Sequence, residues 1–143
     1  MPNEIQIEYE RRLDHLAKAL HSPNEFGLVY VYAIFEQLKD ELDNDEYSNI
    51  SKAAPVLWMM ARSVEFDLTL ALCRLVEPKK RSDGNLDRFL SWSAEHRRKI
   101  RWQGKNIDES LIFQQKQQLN AHEKVISSLM GRRDKFVAHL DLK

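Results

Sequence analysis

The chain has 143 residues, with one cysteine, four glycines and four prolines, and its 22 Lys and Arg balance 22 Asp and Glu. That length suits one domain able to bury its own core, the lone Cys73 excludes an intramolecular disulfide, and no Cys/His cluster has metal-ligand spacing, so neither metal nor cofactor is expected. The most apolar segment, Val56 to Val76, is interrupted by Arg62, Glu65, Asp67 and Arg74, which excludes a membrane span, and an acidic N-terminus unlike a signal peptide predicts a cytoplasmic protein.

Every period that can be read is helical, so the expected fold is all-α, an up-down bundle of four or five helices. The spacing predicts an opening helix from about Ile5 to His21. Ser22-Pro23-Asn24-Glu25 reads as a capping box, so a second helix is expected from Pro23 to about Asp43. After the acidic Asn44-Asp45-Glu46 loop, a third helix is expected from near Ser51, with Pro55 in its first turn, to Glu77, where Pro78 stops it. On it Leu57, Met60, Val64, Leu68, Ala71 and Leu75 form a stripe at 3/4 spacing, widened by Met59, Phe66, Leu70 and Cys73, and so read as the core.

Asn85 is placed to cap a fourth helix reaching about Trp102, and Asp108 to cap a long fifth one. On that last helix Leu119, His122, Ile126, Leu129, Arg133, Phe136 and Leu140 form one stripe, so Arg133 falls where a core residue belongs. A guanidinium there is costly unless it is paired or opens onto a cleft, a conflict of the kind found at functional sites. Gly131 just before it either admits a close neighbour or kinks the helix.

The zero net charge hides a division: residues 1–50 carry 11 acids against 4 bases, and residues 51–143 carry 11 acids against 18 bases. Nine Lys or Arg lie between Lys79 and Lys105, among them Arg97, Arg98 and Arg101, interleaved with Trp92 and Trp102. Such a patch suits RNA backbone and bases; the alternative is an ordinary solvated helix face. Asp67 and Arg74, seven apart, face the same way and either pair in the core or support a site.

The string Arg132-Arg133-Asp134-Lys135-Phe136-Val137-Ala138-His139 sets permanent cations beside a side chain that titrates near neutrality, a combination suited to moving a proton while stabilising charge on phosphate. Two registers are open. Arg132 lies seven residues from His139 and comes within about 20° of it on a straight helix, while Arg133 points about 120° away. The other histidines, His15, His21, His96 and His122, read as structural or exposed.

Arg133-Asp134-Lys135-Phe136-Val137-Ala138-His139 resembles the signature of the HEPN superfamily (higher eukaryotes and prokaryotes nucleotide-binding), an arginine followed by a polar residue and, further along, a histidine. With Leu140-Asp141, and with Ala61-Arg62-Ser63-Val64-Glu65 and Leu72-Cys73-Arg74-Leu75 on the long helix, the string is most similar to the AbiU-like, abortive-infection branch. The resemblance implies a homodimer that brings two motifs into one cleft, RNA as substrate, and a metal-independent endoribonuclease of toxin type, with an antitoxin protein as a further partner. It favours Arg133, through Asp134, as the motif arginine, with His139 as acid or base, and with Asp134, or more weakly Asp141, orienting Arg133 or a histidine from the other subunit. Arg132 and Lys135, with Arg97, Arg98 and Arg101, are then the candidate RNA contacts. Such domains usually continue beyond this histidine, whereas four residues follow His139 here, so a domain cut short at its C-terminus is expected.

Overall fold

The hydrophobic periods become six helices: α1 (Glu4–His21), α2 (Leu28–Asp43), α3 (Ala54–Val76), α4 (Leu86–His96), α5 (Glu109–Ala121) and α6 (Glu123–Leu140). The computed structural model describes residues 3–22, 27–43, 54–77, 84–102 and 107–140, and no strand occurs among them. The all-α expectation therefore holds. Helix α3 is the hub: it packs on α2, α4 and α6, while α1 bridges α2 and α4 and α5 joins α4 to α6.

Local chemistry explains the ends. Asn3 caps α1 by accepting the Ile5 N–H at 3.1 Å. Glu4 in the first turn and Lys18 and His21 in the last oppose the helix dipole favourably. Helix α2 starts at Leu28, five residues later than expected; Pro23, Asn24 and Glu25 of the proposed capping box lie outside the described residues. The carbonyl of Gly27 opens α2 by accepting from Tyr30 and Val31. A Cβ on Gly27 would stand 2.6 Å from the Ser22 nitrogen and 2.9 Å from that of His21, both backbone atoms, so only glycine fits against the end of α1.

Asn85 caps α4 as expected, accepting the Arg88 N–H at 3.1 Å, and its amide donates to the Glu77 carbonyl at 2.6 Å; this fully buried side chain ties the end of α3 to the start of α4. Helix α4 stops at His96, short of Trp102. Off-helix partners take over the backbone there: Trp102 donates its indole N–H to the Arg97 carbonyl at 3.0 Å, and the Arg101 N–H donates to Gln6 Oε1 at 2.7 Å. The long last helix is in fact two. At His122 the chain leaves helical geometry, and its N–H turns back to the Leu119 carbonyl; the His122 carbonyl then accepts from Ile126 to start α6. His122 is exposed and does not belong to a buried stripe.

The α3–α6 seam is antiparallel. Phe66 meets Phe136 edge-on at 5.6 Å, and Cys73, seven residues further along α3, donates its thiol to the Leu129 carbonyl, seven residues earlier on α6, at 3.8 Å. In this register the end of α6 comes level with Arg62, so the first turns of α3 project past it. That is why Met60, expected in the core, is half exposed at 49% and Met59 stands at 67%, while Ala61, Thr69, Cys73 and Leu75 supply the buried face. Thr69 satisfies its buried hydroxyl by donating to the Glu65 carbonyl at 2.8 Å. Across the bundle, buried Arg12 donates to Glu8 at 2.7 Å and lies 5.0 Å over the Trp92 ring, joining α1 to α4. Tyr9 packs between Phe89 and Trp102, and this burial pushes its phenol above the usual range.

Candidate functional site

Helix α6 presents Arg132, Arg133, Asp134 and Lys135 in consecutive positions, so they fan around its axis at about 100° per residue. Arg133 points into the seam. Its Nη1 lies 3.0 Å from Glu77, which follows the last turn of α3, and its Nε and Nη2 lie 2.9 and 2.8 Å from Asp134 Oδ1. The arginine and Glu77 side chains are 21% and 19% exposed, whereas Asp134 is largely open to solvent at 65%. The conflict legible in the sequence, a guanidinium at a core position, is resolved by pairing. The hydrogen bond that Arg133 donates to Glu77 dominates, with the one to Asp134 next, and both push the arginine pKa further up, so Arg133 is a fixed cation.

Arg132 turns the other way. It pairs with Glu65 on α3 and lies 5.6 Å over the face of Phe136, more exposed than Arg133. The two neighbouring arginines are therefore anchored to acids twelve residues apart, one within α3 and one just past its end, about 18 Å along the axis. Lys135 is exposed. His139 belongs to α6, but its side chain, like Asp141, lies outside the described residues.

The other candidate contacts are elsewhere. Arg97 pairs with Glu109 at 2.5 Å and donates to the Ala94 carbonyl at 3.2 Å; Arg97 and Arg98 line a cavity of about 300 Å³ with Ile100, Trp102, Ile107, Asp108 and Glu109. Asp108 stands at the N-cap position of α5, and the Ser110 hydroxyl, donating at 2.8 Å, holds its carboxyl below the usual range. Arg98 and Arg101 are exposed. This group sits at the C-terminal end of α4, whereas Arg133 is tied through Glu77 and Asn85 to its N-terminal end, so the structure does not bring the two together. Trp92 and Trp102 are occupied in packing: Trp92 stacks on His96 at 4.4 Å, and Trp102 meets Tyr9. Asp67 and Arg74 do not pair in the core; both are exposed on the outer side of α3.

Glu77 and Glu65 escaped the sequence reading. Glu77 carried a signal: an acid at the C-terminal end of a helix opposes the macrodipole, an arrangement that invites a search for a cation. Glu65 entered only as the end of the Ala61-to-Glu65 string, and nothing in that string marked it as a partner of Arg132.

Among the described residues no group of three or more His, Cys, Asp or Glu is arranged to hold a metal ion, and no helix is long and apolar enough to cross a membrane. An all-helical build in which the last helix packs along a long central one is consistent with a HEPN domain. The AbiU2 family model of HEPN domains matches residues 6–143, and the chain belongs to that family. No curated protein and no solved structure matches it.

Proposed function

We propose that the protein is a metal-independent endoribonuclease of the HEPN toxin or abortive-infection type, working in the cytoplasm as a homodimer with two motifs in one cleft and restrained by an antitoxin. The observation that carries this reading is the Arg133 guanidinium, fixed at the edge of the α3–α6 seam by Glu77 and Asp134, one and a half turns before His139 on the same helix. In the proposed step His139 takes the proton of a ribose 2′-hydroxyl, and the 2′-oxygen bonds to phosphorus. The bond from phosphorus to the 5′-oxygen breaks, and that oxygen leaves with a proton from the histidine of the other copy. Arg133 stabilises the added negative charge on the phosphorane-like transition state, and Asp134 keeps it aimed. Arg132 and Lys135 hold the flanking phosphates, with Arg97, Arg98 and Arg101 contacting a more distant part of the strand.

The test is incubation of the protein with a mixed RNA pool in EDTA, beside Arg133→Ala and His139→Ala. Cleavage by the wild type alone, leaving 2′,3′-cyclic phosphate ends, is the expected result; no cleavage, or cleavage that survives both substitutions, sinks the reading. A second reading, RNA binding without cleavage, is favoured by one feature: two carboxylates already neutralise Arg133, so substrate must displace or share them. It predicts salt-sensitive RNA affinity and no product.

A further inference from the structure

A groove of about 380 Å³ runs between α2 and α3, walled by Val31 and Ile34 on one side and by Val64, Leu70 and Ala71 on the other. Two charges close it, Asp67 and Arg74. Both are exposed, and neither has an ion pair or hydrogen bond among the described residues. Every ion pair described above joins arginines to acids of this same chain; these two opposite charges stand beside apolar walls with no charged partner among the described residues. The apolar surface continues at the rim, where Ile34 is 41% and Met60 49% exposed.

The spacing of the two charges selects a partner. Seven residues separate them, about two turns or 10.5 Å along the axis, so they project from one side of α3 with Leu70 and Ala71 midway between. A helix that pairs with both must carry a cation opposite Asp67 and, about 10.5 Å on, an anion opposite Arg74. Helix α3 itself meets that requirement when it runs antiparallel, because a two-fold axis between Leu70 and Ala71 superimposes Asp67 of one copy on Arg74 of the other, twice. This is the self-complementarity of an isologous interface, in which residue i meets j and j meets i. Ala71, next to the axis, has no side chain beyond Cβ to hold the helices apart.

We propose that the α2–α3 groove is the self-association surface of this protein, occupied by α3 of a second copy running antiparallel, with Asp67 and Arg74 exchanged across the two-fold axis. The proposal goes beyond the ribonuclease reading and rests on the charge pattern and the groove alone, since its axis leaves the two copies of Glu77 about 20 Å apart along α3 rather than in one cleft. It places the Arg133–Glu77 pair about one helical turn from Arg74, at the margin of the interface.

The test reads mass, not cleavage, so it can fail while the ribonuclease reading stands, and the reverse. Sedimentation equilibrium of the full chain is run for the wild type, Asp67→Arg, Arg74→Asp and the double exchange, with far-UV circular dichroism as a check on folding. The wild type is expected to be dimeric at tens of micromolar. Each single exchange sets like charges against each other twice and is expected to weaken the dimer at least tenfold. The double exchange restores it. The sharpest arm mixes the two single variants, because their heterodimer alone has both pairs attractive, and the mixture is expected to regain dimer mass. A monomeric wild type, a dimer indifferent to the single exchanges, or a mixture and a double exchange that both stay monomeric overturns the proposal and leaves the groove to another partner.

Discussion

Arg133 of α6 and Glu77 at the end of α3 meet at 3.0 Å, and each solves the other's problem. The arginine occupies a core position of its helix, and the glutamate stands where the α3 dipole is negative. Apart, each would be a partly desolvated charge in an unfavourable field. Together they fix the guanidinium at the seam and hold the last two turns of α6 to α3.

Glu77→Gln keeps the shape of the side chain and removes its charge. We expect a loss of about 1–2 kcal/mol, because a charge-assisted hydrogen bond becomes a neutral one while Arg133 stays charged and only 21% exposed. Thermal unfolding reads this as a fall of about 3–7 °C. An unchanged midpoint would mean that Asp134 alone satisfies Arg133.

Asn85→Ala should cost more, about 2–3 kcal/mol. The buried amide supplies both the cap of α4 and the 2.6 Å bond to the Glu77 carbonyl, so its removal leaves two backbone groups without partners in a dry site. Urea titration measures the loss. Asn85→Asp keeps the capping oxygen and lacks the donor, and it should fall between wild type and alanine.

How much of this was legible in the sequence follows the range of the forces involved. Asn85 as a cap and about Ile5 to His21 as a helix are local facts, written in residues that touch neighbours a few positions away. The pairing of Arg133 was legible only as a requirement, because Glu77 is 56 positions distant and nothing local selects it over Glu65. The exposure of Met60 was not legible: its stripe is regular, and only the way α2 and α6 lie along α3 decides which turns are covered. The break at His122 was hidden for the same reason, since Leu119 and Ile126 keep the spacing of one continuous helix although the chain between them turns.

Gly27 and Gly131 show opposite uses of the residue. Gly27→Ala drives a Cβ to 2.6 Å from a backbone nitrogen that cannot yield, so we expect a loss of about 1–3 kcal/mol. Gly131 lies inside α6, and a Cβ there meets nothing within 4 Å. It neither admits a close neighbour nor interrupts the helix among the described residues, and Gly131→Ala should stabilise by about 0.5–1 kcal/mol. Denaturant midpoints of the two variants should move in opposite directions, and the Gly131 variant tests whether any further chain uses that open face.

Acid should loosen α1 before the rest of the bundle. Arg11, donating two hydrogen bonds at 2.8 Å, and then Arg12 hold the Glu8 carboxyl down at about 2, against 4.5 when unpaired. A carboxylate with a depressed folded pKa adds stability that is fully present above 4.5 and is lost as the pH falls from there towards 2. Glu8 is partly solvated and its pair with Arg11 is open, so salt screens the effect and its size stays below that of the buried pairs. Wild type should therefore lose stability over that acid window more steeply than Glu8→Gln, with the two curves converging at the acid end and the gap narrowing in high salt. Parallel curves from pH 6 to 2 would mean that the Arg12–Trp92 contact, not the Glu8 carboxylate, holds the α1–α4 junction.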